Sequence, residues 1–213
     1  MHTCPLCEAA DVAHYHQDAR RDYFQCQQCS LIFADPDKRL DPAMEKEVYD
    51  QHENNSEDLG YRRFLSRVAT PLLDKLPAES LKGLDFGSGP GPTLSVMMSE
   101  AGHQVAIYDP YFAPDRSVLA QTYDFITCTE AIEHFYTPYQ EWQQLLGMLK
   151  PGGWLGIMTK LALDYDAFAR WHYKNDPTHV SFFSQATFSY LAERDGLDVE
   201  FVGNDVILLR KPQ

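Results

Sequence analysis

The stretch LDFGSGPG, residues 84–91, restricts the fold of this chain more than any other. It closes a short apolar run, GLDFG, and opens onto PTLSVMMSEAG, which reads as a helix with Pro92 near its first turn and Gly102 at its end. Gly87, Ser88, Gly89 and Gly91 are small enough to let the backbone approach a ligand closely, and Asp85 adds an acceptor at the strand end. A Gly-x-Gly turn alone is common. Here the next apolar run, QVAIYD, places Asp109 at its tip, where a carboxylate can take two hydroxyls of a ribose.

The alternation continues. YDFITC reads as a strand, TPYQEWQQLLGMLK as a helix, GGWLGIMT as a strand, and SQATFSYLAERDG as a helix capped by Ser184. LDVEFVGNDVILLRK then gives two strands around a Gly-Asn turn. Strand–helix alternation implies an α/β fold with a mostly parallel, Rossmann-like sheet, and the final hairpin implies an antiparallel strand near one edge.

The first residues follow a different logic. CPLC (Cys4, Cys7) and CQQC (Cys26, Cys29) lie 18 residues apart, the pattern of a Cys4 zinc site with two knuckles aimed at one metal. A redox CxxC needs one pair, and disulfides suit a reducing compartment poorly. Residues 1–35 therefore read as a small zinc ribbon in which zinc plays a structural role. Residues 36–80 read as a linker and helical cap, with helical spacing in PAMEKEVYDQH and GYRRFLSRVATPLLDKL around the polar ENNSEDLG. Residues 81–213 form the main domain.

The chain has 213 residues, a net charge of −13 and a pI near 4.9. The first forty residues carry four basic and six acidic side chains, so even the appendage is not basic. Nucleic-acid affinity rests on Lys and Arg neutralising phosphates, which disfavours DNA or RNA as the partner. A small-molecule substrate fits better, with a protein partner through the ribbon as a further expectation. No run is apolar enough to cross a membrane, and MHTCPLCEAA lacks the features of a signal peptide, so the expected location is cytoplasmic.

Taken together, residues 84–91, Asp109, YDFITCTEAIEHF and LLGMLKPGGWLGI resemble the class I S-adenosylmethionine-dependent methyltransferases, from about residue 60 onward. The resemblance implies a seven-strand sheet with a terminal antiparallel hairpin. It also implies cofactor contacts from Asp85, the glycine loop, Asp109, Cys128 and Thr129. One departure stands out: fourteen residues, 110–123, separate Asp109 from Asp124. The family fits two helices and an edge strand there, so this edge should be cut back, with Tyr111 and Phe112 as candidate walls for the adenine. From the helical cap, Tyr61, Arg62 or Arg63 is placed to reach the cofactor's carboxylate.

TEAIEHF, residues 129–135, follows the fourth strand of that pattern. Wound as one helical turn, Glu130, Glu133 and His134 share a face. Three readings stand: a hydrogen-bonded turn, an acid–base site, or a second divalent metal. For the metal, ExxEH with a distant His resembles small-RNA 2′-O-methyltransferases and ubiquinone-pathway O-methyltransferases, and the distant ligand would be His179 of NDPTHVSFF. The aromatic stretch WHYKNDPTHVSFFS reads as a pocket lid or as a loop closing the core. The expected activity is methyl transfer to a small molecule at a hydroxyl oxygen. A sugar C-methyltransferase-like enzyme and a non-catalytic cofactor fold with a partner-binding ribbon are the alternatives.

Overall fold

The computed structural model describes residues 2–51 and 55–213. The last residue of the expected helical stretch PAMEKEVYDQH, His52, and the first two of the expected polar break, 53–54, lie outside the described residues. Three short strands come first: β1 (Val12–Gln17), β2 (Asp22–Cys26) and β3 (Ile32–Ala34). Two helices follow, α1 (Pro42–Tyr49) and α2 (Leu59–Leu73), each opened by an aspartate that accepts two backbone N–H groups, Asp41 and Asp58.

The main domain then alternates as expected: β4 (Lys82–Phe86), α3 (Thr93–Glu100), β5 (Gln104–Tyr108), β6 (Tyr123–Thr129), α4 (Pro138–Met148) and β7 (Leu149–Met158). After α5 (Tyr165–Ala169) and β8 (Ser181–Phe182) come α6 (Gln185–Asp195), β9 (Asp198–Val202) and β10 (Val206–Arg210). Ser184 caps α6 in a reciprocal exchange with Thr187. β7 begins at Leu149, earlier than the GGW run suggests, because Lys150 and Pro151 are extended as well.

The large sheet runs β5-β4-β6-β7-β10-β9. The four strands from β5 to β7 are parallel, and β10 is antiparallel to both of its neighbours. The cut-back edge is as expected. Between β5 and β6 the chain forms only a bridge between Asp109 and Ala113 and a 3-10 turn, Arg116–Ala120, so β5 ends the sheet. Inside the sheet, β4 and β6 approach closely because Gly83 leaves room for the Phe125 ring: a Cβ there would lie 2.1 Å from Phe125 Cζ.

α2 covers one side through Leu65, Val68 and Leu72, packed with Leu94, Met98 and Met158. On the other side, Trp142, Leu145, Phe188 and Leu191 join Leu6, Leu31 and Phe33 of the ribbon in one apolar cluster. Leu6, Leu31 and Phe33 are fully buried, each contributing roughly 1.5–3 kcal/mol by leaving water. The ribbon is also bonded to the main domain, since β8 adds to β3 with Ile32 opposite Phe182 and Phe33 opposite Ser181. Among the described residues no helix is long and apolar enough to cross a membrane.

Candidate active site

At the end of β4 the backbone turns through Gly87 (φ 78°) and Gly89 (φ 63°). Gly87 cannot carry a side chain: its Cβ would sit 2.5 Å from that of Ala131. The Gly87 and Ser88 amides donate to the Tyr108 carbonyl at 2.8 and 3.2 Å, tying the loop to β5. Asp109 completes the tie. Its Oδ2 accepts the Gly89 N–H at 3.0 Å, and its Oδ1 accepts Tyr111 N–H at 2.9 Å and Phe112 N–H at 3.0 Å. One carboxylate thus sets both the glycine loop and the aromatic pair after β5. An ionised carboxylate offers about four acceptor positions, so capacity remains for a ligand hydroxyl.

Asp85 is almost fully buried and accepts from Thr127 Oγ1 at 2.8 Å. Burial pushes its carboxyl up to about 6, against the pull of Thr127 and the Ser95 amide. A raised acid prefers its protonated form, so this group favours the fold most at low pH and loses that contribution as pH rises from about 4 through about 6. A cationic ligand beside it has the opposite preference. The affinity of such a ligand is therefore expected to rise by up to about tenfold per unit as pH rises toward 6 and then level off. Asp85→Asn should flatten that profile in a calorimetric pH series.

The glycine loop opens onto a cavity of about 960 Å³, near the upper end of ligand sites. Asp85, Asp109, Tyr111, Phe112 and Thr129 line it, as does Tyr61 of α2. Ser88 Oγ and Thr129 Oγ1 stand in its wall, buried and without a hydrogen-bond partner among the described residues. Such groups cost about 1–3 kcal/mol each until a ligand supplies a partner. Three of the residues expected on the cofactor side do not line this cavity, while Tyr61, the alternative to two of them, does. Arg62 is engaged by Glu100 and the Ser56 carbonyl, and Arg63 is exposed; neither lines the cavity. Cys128, expected beside the cofactor, is fully buried in the core, because strand alternation turns it away from the Asp85–Thr127 side. Burial raises its thiol well above the usual range.

TEAIEHF does not form the single helical turn its spacing allows. Glu130 is left-handed (φ 47°), donating its N–H to the Met158 carbonyl at 2.7 Å, and only Ile132–His134 make a 3-10 turn. Glu130 lines the cavity but stands apart from the cluster made by the other three residues. Ligand atoms of Glu133, His134 and His179 lie within 4.8 Å of one another. Glu133 is fully buried, held by Thr159 Oγ1 on Oε2 at 3.0 Å and by the Tyr173 hydroxyl on Oε1. His134 Nδ1 lies 3.2 Å from the Thr178 carbonyl and His179 Nδ1 2.7 Å from the Tyr173 carbonyl. Each Nδ1 must then carry the proton, which leaves Nε2 of each neutral ring as a lone-pair donor. Burial pushes His134 down to about 4, so it is neutral at physiological pH. Burial, then the neighbouring Glu133, pushes Glu130 up to about 8.

The stretch WHYKNDPTHVSFFS divides between its two readings. Trp171, Tyr173 and Phe182 build an apolar cluster with Tyr23 and Phe168, while Asp176 and His179 reach the cavity. One residue on the cavity wall carries no sequence signal. Glu45 of α1 is buried and accepts from Tyr49 at 3.0 Å and Tyr111 at 2.7 Å, roofing the site. A glutamate in a polar helix beside a linker looks like a solvated face. Only the fold brings Tyr111 to it.

At the N-terminus the four cysteines are free thiols that converge: Cys4 and Cys29 sulfurs are 3.6 Å apart, Cys7 and Cys26 3.4 Å, and all four lie within 4.8 Å. The two knuckles repeat one backbone pattern. Glu8 N–H donates to the Cys4 carbonyl and Ser30 N–H to the Cys26 carbonyl, both at 3.0 Å, with Glu8 and Ser30 left-handed (φ 60° and 61°).

The family described as methyltransferase domain matches residues 60–201, and the chain belongs to it. It is an S-adenosylmethionine-dependent methyltransferase. Solved structures of the same fold include the 1,6-didemethyltoxoflavin N1-methyltransferase of Burkholderia thailandensis, with 1,6-didemethyltoxoflavin and S-adenosylhomocysteine bound. It is 14% identical at a TM-score of 0.56, covering 94% of this chain and 100% of that one. The magnesium protoporphyrin IX methyltransferase of Synechocystis PCC 6803, with S-adenosylmethionine bound, is 11% identical at 0.52, covering 79% and 90%. An S-adenosylmethionine-dependent methyltransferase of Mesorhizobium loti is 13% identical at 0.51, covering 69% and 100%. No curated protein matches the sequence.

Proposed function

We propose that this enzyme methylates a hydroxyl oxygen of a small molecule bound between the glycine loop and the Glu133–His134–His179 cluster. The observation that carries the reading is that one cavity holds both the cofactor-type loop and these three converging donors. Asp109 takes ribose hydroxyls, Ser88 and Thr129 supply polar contacts to the cofactor, and Tyr111 and Phe112 wall its base. Asp85 and Tyr61 complete that side.

On the acceptor side, two imidazoles with fixed lone pairs and a carboxylate form a donor set suited to a borderline divalent ion with open positions. Such an ion, when bound, lowers the pKa of an acceptor hydroxyl. Glu133 and the two histidines would hold it. Glu130, whose carboxyl burial and then the neighbouring Glu133 raise to about 8, would take the acceptor's proton in its ionised form. Residues 1–35 hold a structural zinc through Cys4, Cys7, Cys26 and Cys29. Residues 36–80 roof the cavity, and residues 81–213 carry the chemistry.

A manganese titration tests the acceptor side. His179→Ala is expected to lower manganese affinity by roughly 10–100-fold while leaving S-adenosylhomocysteine affinity nearly unchanged. Equal manganese binding by variant and wild type would remove the metal from the reading.

A further inference from the structure

We propose that the N-terminal ribbon positions the acceptor side of the active site, and that Arg21 is the residue through which it does so. The inference rests on the reading of His134 and His179 as acceptor-side groups.

Arg21 opens β2 and is almost fully buried. Asp18 fixes its turn by accepting the Arg20 and Arg21 N–H groups on Oδ1 at 2.8 and 3.1 Å. The guanidinium reaches across to the loop before β8 and donates to four of its carbonyls: Lys174 at 2.9 Å, Asp176 at 3.0 Å, Pro177 at 3.2 Å and His179 at 2.7 Å. The Tyr23 hydroxyl accepts from Nε at 3.1 Å and donates to Asp18 Oδ2 at 2.9 Å, and Asp18 also pairs with Lys174.

The remaining carbonyls of this loop are the decisive feature. Tyr173 and Thr178 offer theirs to Nδ1 of His179 and His134. The loop is therefore a plate between a guanidinium and two imidazoles. Arg21 holds the peptide planes whose neighbours set the tautomers of both rings. Without it, the Pro177 and His179 carbonyls lose their donor, while those of Lys174 and Asp176 keep only the Tyr23 hydroxyl and the His179 N–H, so the loop must rearrange to satisfy them. A lysine cannot replace the fork, because its compact ammonium has three donors and no planar spread. Arg21 is thus a positioning residue. It touches neither the cavity nor the cofactor loop.

The test is Arg21→Lys in the full chain, read by nitrogen-15 NMR of the imidazoles alongside binding. The Nδ1-protonated signatures of His134 and His179 are expected to give way to a tautomer mixture. Manganese affinity should fall by roughly 10–100-fold. S-adenosylhomocysteine affinity should stay within about twofold, because that site lies on other elements. Should Arg21→Lys fail to fold, Asp18→Asn, which frees the Arg21 turn and Lys174, is read by the same signals. Unchanged imidazole signals in a folded variant would overturn the proposal. If wild type itself takes up no manganese, the metal reading fails, while the imidazole signals still decide the role of Arg21.

Discussion

Asp109→Ala is expected to weaken S-adenosylhomocysteine binding by about 100-fold or more, equivalent to roughly 3 kcal/mol. Two losses combine. Direct bonds to the ribose go, and the Gly89, Tyr111 and Phe112 amides lose the carboxylate that holds them. Hydrogen bonds to a charged group contribute about 1.5–3 kcal/mol each, so even partial rehydration of these amides leaves a deficit of that order. Asp109→Asn should fall between, because its amide presents one oxygen where the native group presents two, and its NH2 would face N–H donors. Calorimetry decides: affinity within about threefold of wild type for Asp109→Ala would show that neither the loop nor the ribose depends on this acid.

Stripping zinc should have the largest effect on stability. A strong chelator under reducing conditions is expected to unfold residues 1–35 and lower the Tm of the whole chain. Tetrahedral zinc with bonds of about 2.3 Å places its sulfurs about 3.8 Å apart, close to the 3.6 Å from Cys4 to Cys29 and the 3.4 Å from Cys7 to Cys26 across the two knuckles. The ribbon strands are short, and its knuckles hold Glu8 and Ser30 in a left-handed conformation that costs non-glycine residues roughly 1 kcal/mol or more each. Zinc bound by four thiolates supplies an apparent 10–16 kcal/mol or so, which overwhelms those terms. The damage spreads because Leu6, Leu31 and Phe33 belong to the main core. Elemental analysis should find one zinc per chain, on the order of full occupancy, and Cys26→Ser should reproduce the chelated state. Metal-free protein with an unchanged Tm would remove the ribbon's dependence on zinc.

Most of the α/β frame was readable because its signals are local. Apolar runs of strand length, Ser184 before a helix and a Gly-Asn turn each act within a few residues. The shortened edge was readable too, since fourteen residues cannot house two helices and a strand. What stayed hidden depends on distant partners. Arg21 carries no local signal, because the carbonyls it binds lie more than 150 residues away. β8 is two residues long and becomes a strand only because β3 presents an open edge. The helical face expected to join Glu130 to Glu133 and His134, and the cavity position expected of Cys128, are not seen for a related reason. A one-turn helix and a strand end look alike in a seven-residue window, and pairing with β7 carries one residue past β6 before the chain reverses.

The missing strand leaves β5 with hydrogen-bonding partners on one flank only, and its five residues form a hydrated margin instead of an interior seam. Such a margin invites pairing with another chain. Here it is short, and the Asp109–Ala113 bridge curls the following segment back across its end. The same curl delivers Tyr111 and Phe112 to the cavity, so the blunting of an adhesive border and the walling of the ligand site are performed by one piece of chain.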